Sequence, residues 1–232
     1  MIFDPNPLYF YMCQLWQEHK KEGNIIEIYN QGGTRSSKTW DAIHLLVSIC
    51  DHNRGKELRI YVLRDTLARC KDKTVPEFQK CFKQIGISSK VMSANHKPYI
   101  NLWGNHIYFR GLPDDNEEGW PADILYFNEM LEMEKQPVED LIMRCEKLVL
   151  GDYNPKYTAH WLYGKEGTEN VFFTKTTYQN NKHLPLSVKR TIEAYEPWET
   201  GSYEVRGNDI LYKGHIVDTK HQPPQNPIYT QS

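Results

Sequence analysis

The chain is short of the features that would assign it to several broad classes. A marked excess of either charge is missing: 28 Lys and Arg stand against 30 Asp and Glu, a formal net charge of −2 over 232 residues, so no global field selects nucleic acid or an anionic membrane. Any polyanion would have to be held by a local patch. Paired cysteines are missing too. Cys13, Cys50, Cys70, Cys81 and Cys145 are odd in number, scattered and without C-x-x-C spacing, which argues against a disulfide framework and against a zinc site. No apolar run is long enough to span a bilayer, and the opening residues lack a basic stretch followed by an apolar one. A soluble protein of a reducing, cytosolic compartment, with no membrane partner, is the expectation. The length suffices to bury a full core, and one large α/β domain is favoured over several.

What is present is a strand, a loop and a helix in direct succession. Ile25 to Tyr29 supplies β-branched and aromatic residues, and Gln31-Gly32-Gly33-Thr34-Arg35-Ser36-Ser37-Lys38-Thr39 follows, leading into a helical pattern from Trp40 to Cys50. This is the context a phosphate-binding loop requires. Gly32 and Gly33 are expected to let the backbone turn tightly, Lys38 to reach the β and γ phosphates of a nucleotide, and the Thr39 hydroxyl to take Mg²⁺. One letter departs from G-x-x-x-x-G-K-[ST], since Ser37 stands where the second glycine belongs. Serine there either adopts a helical conformation or carries modest strain. The bland alternative is a polar hairpin loop that happens to hold a lysine.

Further along, strands and helices alternate. A helix is expected from about Leu8 to Lys21, a strand over Leu58 to Leu63, and a helical stretch from Thr66 to Ile85 broken near Pro76. Tyr99 to Trp103 and His106 to Gly111 alternate around Gly104-Asn105 as a hairpin, and Asp114 to Glu118 reads as a solvated loop. Ala122 to Phe127 is an apolar strand, Pro137 to Cys145 a helix, Leu148 to Leu150 and Val171 to Thr174 strands, and Leu186 to Tyr195 a helix. This pattern predicts a mostly parallel central sheet with helices on both faces. A hairpin is expected over Tyr203 to Tyr212, and residues 201–232 read as a C-terminal hairpin and linker after a main domain of residues 1–200.

Hydrolysis of a bound nucleotide needs a metal-organising group and a group that activates water, both at the carboxyl ends of neighbouring strands. The strand ending in Asn128-Glu129 offers an amide able to hydrogen-bond a Mg²⁺-bound water and a carboxylate able to polarise an attacking one. The strand ending in Asp152-Tyr153-Asn154-Pro155 offers a second amide, Asn154, that could sense the γ-phosphate. Read alone, each is also an ordinary polar strand end.

Taken together, the series Gly32 to Thr39, Arg59 to Arg64, Ile107 to Leu112, Tyr126 to Glu129, Asp152 to Pro155 and His160 to Tyr163 resembles the large subunit of tailed-bacteriophage terminases, in its amino-terminal ATPase domain. The resemblance runs from about Asn6 to Trp198. It implies a RecA-like P-loop fold and a Mg²⁺-dependent ATPase that drives double-stranded DNA into a procapsid. Arg35 is implied to contact the γ-phosphate, Glu129 to be the catalytic carboxylate, and Asn154 to couple nucleotide state to movement. Adenine contacts are implied near Leu8 to Phe10 and at Gln31. A homo-oligomeric ring on a portal protein, a small terminase subunit and the cytoplasm of an infected bacterium are implied as partners and place, with Arg64, Arg110 and Arg144 as candidates for an arginine acting across subunits. The isolated domain could be monomeric.

Two letters depart from the family's commonest pattern, Ser37 and Asn128. The family also carries a nuclease domain after the ATPase domain; Asp209 and Asp218 have no clustered carboxylate partners, so nuclease activity is not expected of this chain. Another RecA-like or helicase-type ATPase, or a nucleotide-binding assembly module with little turnover, would share the phosphate loop.

Overall fold

Runs of buried, β-branched and aromatic residues build a single eight-stranded sheet in the computed structural model, which describes residues 3–20, 23–112, 121–155 and 160–194. The strands are β1 (Ile26–Gly32), β2 (Arg59–Arg64), β3 (Val91–Ala94), β4 (Lys97–Leu102), β5 (Asn105–Gly111), β6 (Ala122–Asn128), β7 (Cys145–Tyr153) and β8 (Val171–Thr176). The helices are α1 (Pro7–His19), α2 (Lys38–His52), a single turn α3 (Leu67–Arg69), α4 (Val75–Gln84), α5 (Lys135–Ile142) and α6 (Leu186–Ala194). The expected Asp114 to Glu118 loop, the Tyr203 to Tyr212 hairpin, and Asp209 and Asp218 in the 201–232 segment lie outside the described residues.

The strand order is β3-β4-β5-β2-β6-β7-β1-β8. From β5 to β8 every pairing is parallel, and the antiparallel pairings are β3–β4 and β4–β5, at one edge, so that β4 alone runs against the other strands. The central strand β6 is buried at every position, as expected of a parallel strand covered on both faces. One face packs Ile28, Val62, Tyr126 and Leu150 against α1, α2 and α4, through Met12, Leu46 and Phe78. The other packs Tyr29, Leu63, Phe127 and Val149 under Val138 and Leu141 of α5. The result is the expected RecA-like α/β sheet. Its parallel strands bring the carboxyl ends of β1, β6, β7 and β8 to one side of the sheet, where ligands bind in open sheets of this kind.

Several local expectations shift. The segment from Thr66 to Ile85 is α3, a π-helical turn over Cys70–Thr74 and α4, with Pro76 in the first turn of α4. Proline has no N–H to give the preceding turn, and the Val75 amide reaches back five residues to the Cys70 carbonyl. The hairpin turn is made by Trp103 (φ 53°) and Gly104 (φ 87°), and Asn105 already belongs to β5. A second turn, Asn95 (φ 48°) and His96 (φ 60°), adds the edge strand β3; its two left-handed residues are what a tight hairpin demands. Cys145 opens β7 opposite Ala122 rather than ending α5. A residue three beyond Ile142 fits a helical period equally well, and only the strand pairing decides.

Candidate active site

The loop from Gly32 to Lys38 joins β1 to α2. Its left-handed residues are Arg35 (φ 72°) and Ser37 (φ 69°), so the turn is made by two side-chain-bearing residues and not by Gly32 or Gly33. Gly32 is required for space: a Cβ there would lie 2.4 Å from Thr176 Oγ1 and 2.6 Å from the Thr176 carbonyl oxygen. β8 therefore presses directly on the start of the loop, and the Gly33 amide donates to the same Thr176 carbonyl at 3.3 Å. Ser37 is the N-cap of α2, yet its side chain caps no amide; its hydroxyl donates forward to Asp41 Oδ2 at 2.7 Å. The Ser37 side chain thus does not compete for the amides of the first turn of α2, the arrangement an anion needs at a helix N-terminus. Ser36 is buried, and its hydroxyl has no hydrogen-bond partner among the described residues.

Two successive residues of α2 are tied to β7. Lys38 Nζ donates to Asn154 Oδ1 at 2.5 Å and to the Gly33 carbonyl at 3.2 Å, while Thr39 Oγ1 donates to Asp152 Oδ2 at 2.6 Å. Asn154 also donates to Thr34 Oγ1 at 3.4 Å. Asp152 is fully buried and accepts further from Tyr126 Oη at 2.6 Å and from the Glu129 amide at 2.9 Å. Burial, and then the Asp152 charge, push the Tyr126 phenol well above its ordinary range, so it remains a donor. Asn128 lies opposite Asp152 in the β6–β7 register. Its Nδ2 donates to both Asp152 oxygens, and its Oδ1 accepts from Arg64 Nη1 at 3.0 Å and Thr74 Oγ1 at 2.9 Å.

Glu129 follows at φ 58°, ψ 53°, a left-handed conformation that a residue with a side chain holds only when its surroundings over-determine it. The Asp152 bond to its amide is one such constraint, and the Glu132 amide on its carbonyl, at 3.0 Å, is another.

Arg35, Lys38, Thr39, Glu129 and Asn154 all line one cavity of about 460 Å³. Gln31 does not; it is buried in β1 and accepts from Tyr153 Oη at 3.2 Å. Leu8 and Tyr9 are buried in the core and Phe10 is exposed, and none of the three lines the cavity. Its wall also includes Asn6, Trp40, His44, His183 and Pro185. A strap from Asn181 to His183 closes that side: the Asn181 amide group donates to the Arg35 carbonyl at 2.9 Å, and the Lys182 backbone donates to Asn6 Oδ1 at 2.9 Å. These contacts join residues 146 and 176 positions apart, which no local sequence pattern announces.

Glu77, at the start of α4, also lines the cavity. Burial first, then the charges of Asp152 and Glu129, push its carboxyl above the ordinary range, partly offset by Arg64. Sequence reading passed over both Glu77 and the role of Asp152. The signal for Asp152 was present, as a lone acid one residue inside a strand end that already carried Asn154.

Of the candidate trans arginines, Arg64 is held inside the chain by Asn128, Asp65 and Glu132. Arg110 donates to the carbonyls of Pro98 and Phe109. Arg144 precedes β7, at the end of the sheet opposite the cavity.

Chemically, the site offers donors for phosphate on one side and a carboxylate-held hydroxyl on the other. Among the described residues no group of three or more His, Cys, Asp or Glu side chains could hold a metal by itself. The Thr39 hydroxyl, its proton held by Asp152, keeps lone pairs that fit one oxygen position of a Mg²⁺ shared with phosphate oxygens.

The backbone is similar to those of solved terminases. The large terminase of a thermophilic bacteriophage matches at TM-score 0.70 with 18% identity, over 87% of this chain and 53% of that one; a form of it in complex with ATP-gamma-S matches at TM-score 0.66 with 18% identity, over 85% and 51%. This chain thus spans about half the length of that terminase. The large terminase ATPase domain of Thermus phage P74-26 matches at TM-score 0.54 with 12% identity, over 88% of this chain and 93% of that domain. No curated protein matches the chain by sequence. A family model described as phage terminase large subunit matches residues 24–215, and the chain belongs to that family.

Proposed function

We propose that this chain is the ATPase part of a DNA-packaging terminase, hydrolysing ATP to move double-stranded DNA into a viral procapsid. The observation that carries the reading is the convergence of Lys38, at the start of α2, with Glu129 and Asn154, at the ends of β6 and β7, on one cavity. The solved relative with ATP-gamma-S bound supports a triphosphate as its occupant.

In this reading the free amides of the first turn of α2 cradle the phosphates, and Lys38 and Arg35 neutralise charge that develops as the β–γ bond breaks. Bound Mg²⁺, held through Thr39, would supply further neutralisation of the phosphate oxygens. Glu129 orients the attacking water from a backbone fixed by Asp152. A γ-phosphate oxygen competes with Asn154 Oδ1 for the Lys38 ammonium, so nucleotide occupancy is felt directly by Asn154 and by the chain beyond it. The base lies toward Asn6, Trp40 and His44, under the 181–183 strap, rather than toward Gln31.

Double-stranded DNA, a portal protein and a small terminase subunit are the proposed partners. A homo-oligomeric ring in the cytoplasm of the infected bacterium is the proposed working form. DNA would be gripped along its phosphates, because a packaging motor must be indifferent to sequence.

Nucleotide binding and phosphate release, measured with and without Mg²⁺ for the wild type, Lys38→Ala and Glu129→Ala, test the reading. Lys38→Ala is expected to weaken binding, and Glu129→Ala to retain binding and lose turnover by about 100-fold or more. Equal activity in all three would remove the mechanism. Binding without turnover in the wild type, alone and with DNA, would favour an assembly module instead.

A further inference from the structure

The motif that ends in a catalytic glutamate ordinarily carries an acid just before it, and here that position is Asn128. The missing charge stands directly across the strand pairing, at Asp152. Asn128 and Asp152 are both buried, at 3% and 0% exposure, and joined by bonds of 3.0 and 3.3 Å from Nδ2. We infer that the anionic position of this site has been transposed from β6 to β7, so that Asp152 is the positioning carboxylate for Thr39 and Glu129, and Asn128 is its amide anchor. The inference rests on the ATPase reading.

Three observations carry it. First, Asn128 Oδ1 already accepts from Arg64 and Thr74, so both its lone-pair directions are taken by protein donors, and it has none to offer a metal-bound water. Second, Asp152 grips the two groups on which the chemistry depends, the Thr39 hydroxyl at 2.6 Å and the Glu129 amide at 2.9 Å. A hydroxyl has one proton and two lone pairs. An anion that takes the proton of Thr39 leaves its lone pairs for a cation, whereas an amide could donate to that oxygen and reverse its polarity. Third, a pair of carboxylates at these facing positions would repel at strand-pair distance. One acid and one amide is the stable division, and the chain places the acid where Thr39 and Glu129 are.

The test compares the wild type, Asp152→Asn, Asn128→Asp and the double exchange Asn128→Asp/Asp152→Asn. Each is titrated with the fluorescent nucleotide N-methylanthraniloyl-ADP in Mg²⁺ and in EDTA, and each is melted. The affinity gained by adding Mg²⁺ reports the Thr39 side of the site, and the affinity in EDTA reports Lys38 and the loop amides. Asp152→Asn is expected to lose about 10- to 100-fold of the magnesium-dependent gain, as loss of a group that orients a metal ligand does, and to lose less than that in EDTA. The double exchange keeps one charge in the pair and is expected to melt close to wild type, but without recovering the gain, since the carboxylate then faces Arg64 and Thr74. Should Asp152→Asn not fold, the double exchange carries the test.

An Asp152→Asn protein that keeps the full gain, one that loses affinity equally in EDTA, or a double exchange that restores the gain would each overturn the inference. A wild-type protein that binds no nucleotide in either condition would overturn the ATPase reading, and this inference with it. Wild-type binding with any of the three results above overturns the inference alone.

Discussion

Replacing Ser37 separates two opposing contributions to the loop. Ser37 sits at φ 69°, and a residue with a Cβ in the left-handed region costs about 1–2 kcal/mol, which glycine would remove. Its hydroxyl donates to Asp41 Oδ2 at 2.7 Å, and a hydrogen bond to a charged acceptor contributes about 1.5–3 kcal/mol. Asp41 is fully buried, so water does not readily replace the lost donor. Glycine also loosens the unfolded chain, by roughly 0.4–1 kcal/mol. Ser37→Ala keeps the strain and loses the bond, a destabilisation of about 2 kcal/mol. Ser37→Gly loses the same bond and part of the relieved strain is offset by unfolded-state entropy, leaving it about 1 kcal/mol below wild type. At about 2–4 °C per kcal/mol for a domain of this size, the alanine variant melts about 4–8 °C lower and the glycine variant about 2–4 °C lower. Differential scanning calorimetry of the three proteins without nucleotide checks the order wild type, glycine, alanine. An alanine variant as stable as the glycine variant would refute the strain at Ser37. A glycine variant more stable than wild type would show that the strain outweighs the Asp41 bond.

Gly32→Ala should cost about 1–3 kcal/mol by overpacking, because its Cβ meets both oxygens of Thr176; adding Thr176→Ala should recover only part in urea titrations, since the carbonyl oxygen at 2.6 Å remains. Asn154→Ala removes the protein competitor for Lys38 and is expected to tighten binding of a non-hydrolysable ATP analogue, by up to about 10-fold; weaker binding in calorimetric titration would mean that Asn154 itself holds the nucleotide. Burial, Asp152 and Glu129 raise the Glu77 carboxyl above its unfolded value, so its contribution to stability is fully present below the ordinary glutamate range and is lost as pH rises through the raised value. Glu77→Gln should therefore melt higher than wild type at neutral pH and show a flatter pH dependence from the ordinary glutamate range upward. All five cysteines are free, with Cys50, Cys70, Cys81 and Cys145 buried, and burial pushes the first three thiols up to about 12. Alkylation followed by mass spectrometry should label Cys13 first in the folded protein and the other four only on unfolding.

Elements whose signals are local were legible in the sequence. The β1 strand, the loop and α2 form one continuous pattern, and the apolar runs of β6 and β7 mark buried parallel strands, so the sheet and the cavity-facing Lys38, Glu129 and Asn154 could be named from the residues. Backbone conformation was less accessible. The loop's glycines suggested where it turns, but its left-handed residues are Arg35 and Ser37, because β8 presses on Gly32 and the turn falls later. Asp152 was hidden for a different reason. Its partners Thr39, Tyr126 and Glu129 are 113, 26 and 23 residues away, and only the β6–β7 register brings them to one carboxylate. The same holds for the strap at Asn181 to His183, which meets the helix α1 end of the chain through Asn6 and Asp4.

The register also explains how one strand can serve both binding and response. Asp152, near the end of β7, and Asn154, just beyond it, reach the adjacent residues Thr39 and Lys38. The two ties differ in what can displace them. Thr39 can turn its lone pairs to a cation while its proton stays on Asp152, so in the proposed function that bond would survive nucleotide entry. The γ-phosphate, in the same reading, draws on the Lys38 ammonium that Asn154 holds, so that is the tie the nucleotide would weaken. In the proposed function Asp152 holds Thr39 and Glu129 to the end of β7, while Asn154 is the contact that would change with the nucleotide.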